Sequence, residues 1–338
     1  MRRRALVKAA LSAPALPVAM PVLAMPALAQ APAWVADRPI SLVVPFLAGG
    51  STDIAARVLA ERMGPRLGPG ARIIVENRAG AGGAVGGEWV RQRPADGYTL
   101  LVATASSHAT NPAALPSQTP YDPVTDFTPI AAIGGGPLVV VVPAASPWRD
   151  ARGMVEAVRA RPNAFSWATS GVGGVGHLTG EYLKISVGGL QAEHVPYRGG
   201  SAVMEALAKG EVAYSLEVLA SSAPHLRDGY SRGLAVTSRA RHPLFPEIPT
   251  LDETVAPGFE VTTWNVLLAP KGLPASALAA LNTAVNGALA EGAVRDRLAG
   301  AGVDPSRPTT PEETREFLVS ELAKFRGIVR QAGLRLQG

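Results

Sequence analysis

From Ile40 onward, short apolar runs alternate with stretches whose apolar residues recur every three or four positions. Ile40-Ser41-Leu42-Val43-Val44-Pro45-Phe46 reads as a strand that opens into Leu47-Ala48-Gly49-Gly50-Ser51-Thr52-Asp53. Beyond it Ala55, Leu59, Met63 and Leu67 recur every four residues beside Ile54 and Val58, which predicts an amphipathic helix ending near Gly68. The same order returns with Arg72 to Val75 as strand, a glycine-rich turn from Gly80 to Gly87, and a helix through Glu88, Trp89 and Val90. Leu100 to Thr104 is a third short strand after the Asp96-Gly97 turn, and the run Leu138 to Val142 predicts a strand buried on both faces. A helix, strand and helix series then extends from Arg152 to Leu226, with a small-residue turn at Ser170 to Gly176 leading into a helix near His177. The last third reads as helical: Leu278, Leu281, Val285 and Leu289 form one stripe, and Thr310, Pro311 and Glu313 make a capping box for a final helix. Strands alternating with helices predict an α/β architecture with a mostly parallel sheet.

The N-terminus changes the compartment. Arg2, Arg3, Arg4 and Lys8 precede an uncharged, mostly apolar run from Ala9 to Met25 that ends in Ala27-Leu28-Ala29. That is the pattern of a secretory signal peptide over residues 1-29, cleaved before Gln30. Pro14, Pro17, Pro21 and Pro26 argue against a membrane-spanning helix. Arg3-Arg4 leaves a twin-arginine route open. Removal of the segment takes four of the 32 basic residues and none of the 27 acidic ones, so the formal net charge falls from +5 to +1. No Lys/Arg cluster remains to suggest a nucleic-acid partner. With no cysteine, disulfides and thiolate chemistry are excluded, and stability must come from a core.

Candidate chemistry is sparse. The histidines at 108, 177, 194, 225 and 242 show no metal-ligand spacing, and neither a G-x-S-x-G elbow nor a G-x-x-x-x-G-K-[ST] loop occurs. Gly171-Val172-Gly173-Gly174-Val175-Gly176 fits G-x-G-x-x-G, and an NAD(P)-dependent oxidoreductase using this turn is the alternative reading. Its context is weak, because Phe165 to Thr169 is not clearly apolar and Glu193 falls at the start of the next strand. The other reading keeps the physics without the cofactor: exposed N–H groups at a helix start hold a small anion such as a carboxylate. Two small-residue loops, Ala48 to Thr52 and Ser170 to Gly176, each open a helix, and their pairing predicts a cleft between two halves.

The ordered motifs carry a resemblance. They are Val44-Pro45-Phe46-x-Ala48-Gly49-Gly50-x-x-Asp53, Val75-Glu76-Asn77-Arg78-x-Gly80-Ala81-Gly82-Gly83, Asp96-Gly97-Tyr98-Thr99-Leu100 and Tyr121-Asp122-Pro123-x-x-Asp126-Phe127. Val195-Pro196-Tyr197-Arg198-Gly199, Pro249-Thr250-x-x-Glu253 and Pro257-Gly258-Phe259-Glu260 complete them. In these the chain resembles the Bug family of bacterial periplasmic receptors, the substrate-binding proteins of tripartite tricarboxylate transporters.

The resemblance implies a periplasmic, non-enzymatic receptor without cofactor, a monomer that passes a small carboxylate to the membrane permease subunits of such a transporter. It implies a two-domain periplasmic-binding-protein fold of flytrap, type II-like form. We expect one domain from 38-135 plus 250-338 and another from 136-249, joined by two crossings. Phe46, Ala48, Gly49, Gly50, Ser51 and Asp53 would form one wall, Thr104 and Ser106 a second, and Ser170, Gly171, Gly174 and His177 the opposing one. Tyr197 would close one side. The main chain at Ala48 to Ser51 and at Ser170 to Gly174 would grip the carboxylate. The chain departs from the family at Ala213 and in Tyr214-Ser215-Leu216-Glu217-Val218-Leu219, where Glu217 keeps a negative charge on a longer side chain.

Overall fold

The computed structural model describes residues 34–331 and 333–334; the signal segment expected over residues 1-29 lies outside the described residues. Strand β1 (Ile40–Val44) buries Ile40, Leu42, Val43 and Val44 and leads into helix α1 (Ser51–Met63), whose Ala55, Leu59 and Met63 are buried as the four-residue spacing requires. The helix stops at Met63, short of Gly68, and a single 3-10 turn over Gly64–Arg66 follows. Pro65 supplies the reason, since the residue before a proline is disfavoured in the helical region. Next come β2 (Ile73–Asn77), α2 (Ala84–Arg91), β3 (Thr99–Thr104) and the short α3 (Asn111–Ala114). Helix α2 takes in Gly86 and Gly87, which the glycine-rich pattern places in the turn. Gly87 packs so closely on Tyr121 that a Cβ would lie 2.7 Å from its ring, so this glycine sets the helix against its neighbour.

Strand β4 (Phe127–Pro143) is 17 residues long, and the sequence pattern revealed only its second half, Leu138 to Val142. Pro129 and three glycines obscure the first half, where the register shifts between Pro129 and Ala131 and again between Ala132 and Gly134. Then follow α4 (Ala151–Ala160), β5 (Ser166–Thr169), α5 (Val175–Ser186), β6 (Glu193–Pro196), α6 (Gly200–Ala208), β7 (Tyr214–Val218), α7 (Leu219–Arg227) and β8 (Ser231–Val236). The chain finishes with α8 (Leu251–Thr254), β9 (Thr262–Pro270), α9 (Ala275–Leu289), α10 (Gly292–Gly300), β10 (Asp304–Pro305) and α11 (Pro311–Gln331). The expected capping box is present: Glu313 N–H donates to Thr310 Oγ1 (3.1 Å) and Thr310 N–H to Glu313 Oε2 (2.8 Å).

The strand order β2-β1-β3-β9-β4-β7-β5-β6 corrects the expectation of a mostly parallel sheet. β1 pairs in parallel with β2 and β3, and β5 with β6 and β7. β9 runs antiparallel to β3 and β4, and β4 is antiparallel to β7, β8 and β10. Strand β9, which sequence reading missed, fills the centre. β4 belongs to both halves of the sheet, its first part beside β9 and its second between β7 and β8. One apolar cluster joins Val43 and Leu101 to Leu138, Val140, Trp167 and Phe325, so residues 136-249 share core with residues 40-104. Separate clusters back the two ends, one around Leu42, Leu59 and Leu281 and another around Val141, Met204 and Leu207.

Candidate functional site

The carboxyl ends of the parallel strands open onto a cleft of about 280 Å³. This is where ligand sites arise in α/β sheets, because each strand there hands over to a helix N-terminus. Four such starts border it. Gly50, Ser51 and Thr52 come from α1, Val175 from α5, Gly200 to Ala202 from α6, and Val218 with Ser221 from α7. Eight hydroxyl side chains line the space, from Ser51, Thr52, Thr104, Ser106, Ser170, Ser201, Ser221 and Thr263, so the wall is rich in hydrogen-bond donors.

The loop after β1 is held by Asp53. Gly49, at φ +88°, donates its N–H to Asp53 Oδ2 (3.0 Å). Arg57 binds both carboxylate oxygens (Nε to Oδ2 2.9 Å, Nη2 to Oδ1 3.0 Å). Asn77 Nδ2 donates to Asp53 Oδ1 (2.9 Å) and to Phe46 O (3.0 Å). Burial raises the pKa of Asp53, but the hydrogen bonds from Arg57, Gly49 and Asn77 outweigh it and hold the carboxyl below its ordinary range. Asp53 therefore borders the cleft as the ionised anchor of the loop. The main-chain donors left at this wall are the first-turn N–H groups of α1, which no helical carbonyl can reach.

The opposing loop is fixed by a histidine pair. Gly173 N–H donates to His177 Nδ1 (3.1 Å), the His177 ring stacks on His194 at 3.8 Å, and His194 Nε2 shares a hydrogen bond with Thr169 Oγ1 (2.7 Å). Burial lowers the pKa of His177 to about 4 and of His194 to about 3, with Lys184 adding to both, so the pair is neutral at neutral pH. Val175 N–H donates across the cleft to Ser106 Oγ (3.1 Å). The first N–H group of α5 and that of Gly173 just before its N-cap are thus engaged within the protein.

Nine of the fourteen sequence-predicted site residues line the cleft: Phe46, Ala48, Gly50, Ser51, Asp53, Thr104, Ser106, Ser170 and Glu217. Gly49, Gly171, Gly174, His177 and Tyr197 lie outside its lining; Tyr197 instead packs on the cluster around Met204 and donates its hydroxyl to Glu211 (3.3 Å). Sequence reasoning missed the third wall. Arg198, Gly199 (φ +101°) and the start of α6 contribute the one cationic side chain in the lining and three first-turn N–H groups. The signal was available in Gly199-Gly200-Ser201, small residues after Arg198 that open a helix carrying Val203, Met204 and Leu207 on one face.

Glu217, at the end of β7, is buried. Its Oε1 accepts the Val218 N–H (2.9 Å), while Oε2 has no partner among the described residues. Burial pushes the Glu217 carboxyl up to about 7, against the opposing pull of the Val218 N–H and of Ser170.

The G-x-G-x-x-G turn does follow a strand, since Ser166–Thr169 forms β5 with Trp167, Ala168 and Thr169 buried. It is nevertheless closed to a pyrophosphate. A Cβ on Gly173 would lie 2.5 Å from Asn111 Oδ1 and 2.6 Å from Leu115, so neighbouring elements already occupy the side a dinucleotide would approach.

Residues 55–334 match the family described as tripartite tricarboxylate transporter family receptor. Protein BugT of Bordetella pertussis is 34% identical over 300 residues, covering 89% of this chain and 91% of BugT. Among solved structures, an R. palustris protein with adipate superposes with a TM-score of 0.84 at 33% identity, covering 88% of this chain and 98% of that one. MatC from Rhodopseudomonas palustris with bound malate gives 0.81 at 31%, covering 87% and 99%. The periplasmic binding protein BugD gives 0.82 at 30%, covering 89% and 100%. Because the family match spans most of the sequence and these relatives align along nearly their whole length, the chain belongs to the tripartite tricarboxylate transporter receptor family, as a receptor of the Bug type.

Proposed function

We propose that this protein is an extracytoplasmic receptor that captures a small carboxylate and presents it, unchanged, to the permease subunits of a tripartite tricarboxylate transporter. The observation that carries this reading is the convergence of four helix N-termini and Arg198 on one hydroxyl-lined cleft. Partial positive charge at each helix end favours an anion, by about 0.3-1 kcal/mol near the surface and more where partly buried. The match of residues 55–334 to a transporter receptor family supports capture of the ligand without turnover. Relatives solved with adipate and malate support a carboxylate as the ligand.

We also assign 136-249 as the part that closes on 38-135 plus 250-338, with β4 and the return into β9 as the two crossings. The lining drawn from both stretches supports this. Export with a mature start at Gln30, and action as a monomer, complete the proposal.

Thermal shifts with mono-, di- and tricarboxylates test the reading. A ligand at a hundredfold excess over its Kd adds about 2.7 kcal/mol of stability when only the native state binds. Mass analysis must then recover that ligand intact. A shift with a nicotinamide cofactor, or turnover of the ligand, would overturn the receptor reading.

A further inference from the structure

Glu217 is the one acidic side chain of the cleft that no cation of the described residues pairs with. Asp53 is tied to Arg57, Gly49 and Asn77, and Glu205 at the rim is paired with Lys209 (2.7 Å). Glu217, by contrast, is 3% exposed and lines the cleft with Oε2 unpartnered among the described residues. The Val218 N–H and Ser170 are the donors that act on its carboxyl. Strand β4 places Val139 beside it, β9 brings Thr263 to the cleft, and α7 brings Ser221. The charged groups of the cleft are Arg198 and the Glu205–Lys209 pair from α6, with the Asp53–Arg57 pair from the other wall; α5 contributes only the neutral His177, outside the lining.

Resting on the receptor reading, we infer that Glu217 meets the second carboxylate of a dicarboxylate ligand as a neutral acid, so that binding carries a proton into the cleft. The first carboxylate occupies the helix starts. Its partner, brought against a buried ionised Glu217, would place two like charges in a dry site, an arrangement that forces one of them to be protonated. The geometry decides where the proton sits. Oε1 already accepts the Val218 N–H, so the acid proton belongs on Oε2, which then donates to the ligand. The carboxyl's tendency to stay neutral up to about pH 7 agrees with this arrangement. An ammonium ligand group would satisfy an ionised Glu217 equally well, but it would stand among four positive helix ends and Arg198.

Calorimetry with succinate, malate, adipate and the mono-acid butyrate, at pH 6 and pH 8 in buffers of different ionisation enthalpy, tests the inference on the parent and on Glu217→Gln. A carboxyl that must be protonated to bind, with its pKa near 7, weakens dicarboxylate binding about tenfold between these pH values, and proton uptake approaches about one per ligand at pH 8. Glu217→Gln, whose amide donates in place of the acid, should bind the same dicarboxylates with no proton uptake and no pH dependence. Butyrate should respond to pH far less than the dicarboxylates. Dicarboxylate binding to the parent without proton uptake, binding with proton release, or a pH dependence that survives in Glu217→Gln would overturn the inference alone. The parent measurement needs no variant to fold. Failure of every panel carboxylate to bind either protein at pH 6 would overturn the receptor reading and this inference with it.

Discussion

Glutamate at position 202 is expected to abolish carboxylate capture while leaving the fold as stable as that of the parent. Ala202 is the third residue of α6 after its N-cap Gly199, and it lines the cleft. The third position of a helix is where glutamate is favoured, since its carboxylate reaches back to the N-cap N–H, here that of Gly199, and complements the helix dipole by about 0.3-1 kcal/mol. The N–H groups beside it, those of Gly200, Ser201 and the residue at 202, are the donors assigned to the ligand. Ala202→Glu therefore sets a tethered anion next to these donors, where it repels a second one. Like charges set against each other at a binding surface cost several kcal/mol, so dicarboxylate affinity should fall at least about 100-fold. Ala202→Gln adds nearly the same volume without the charge and should lose much less. Calorimetry on both variants measures the difference, and thermal melts followed by circular dichroism confirm the fold. Parent-like affinity in Ala202→Glu would remove the start of α6 from the binding site.

The fold was legible wherever side-chain periodicity had one buried face to report. The helix from Ser51, the parallel strands at Ile40 and Thr99, and the capped final helix all follow from spacing alone. Strand β9 was not legible, because Thr262-Thr263-Trp264-Asn265 mixes polar and apolar residues on a strand buried almost throughout, where alternation carries no information. The first half of β4 was hidden by its prolines and glycines, whose presence ordinarily argues against a central strand.

At the site, sequence motifs pointed to the right place but often to the scaffold rather than to the lining. Asn77 ties the loop after β1 to Phe46 O, Tyr121 donates to Ser107 O (2.8 Å), and Thr250 with Glu253 closes a capping box on α8. None of Asn77, Tyr121, Thr250 and Glu253 lines the cleft. They hold the loops that do. Gly49 and Asp53 illustrate the same division, since their mutual hydrogen bond holds the loop whose next residues, Ser51 and Thr52, line the cleft. The α6 wall escaped because Tyr197 drew attention within a motif whose next residues, Arg198 to Gly200, are those that border the cleft.

Gly135→Ala should be among the most damaging single-methyl additions in the protein. Gly135 pairs with Trp264 where β4 passes from one half of the sheet to the other, and the two strands approach so closely there that a Cβ would lie 2.2 Å from the Thr263 carbonyl oxygen. The same Cβ would be 3.1 Å from Trp264 Cα, so every obstructing atom is backbone and no side-chain rotation relieves the overlap. β9 cannot yield easily, because β3 holds its other edge from Leu101 to Thr104. Overpacking in a well-packed interior costs about 1-3 kcal/mol, and a backbone clash between central strands belongs at or above the upper end. Gly292→Ala is the matched control. Gly292 opens α10 with no atom within 4 Å of the added Cβ, so this change should leave stability within about 0.5 kcal/mol of the parent. Urea unfolding of the three proteins compares them directly. Ligand affinity supplies a second readout, because Thr263, whose carbonyl must move, also lines the cleft, and Gly135→Ala that remains folded should bind more weakly than Gly292→Ala. Equal stability and equal affinity in the two variants would show that β4 and β9 are not held in this close approach, and with it would go the assignment of β4 as a fixed crossing between the two halves.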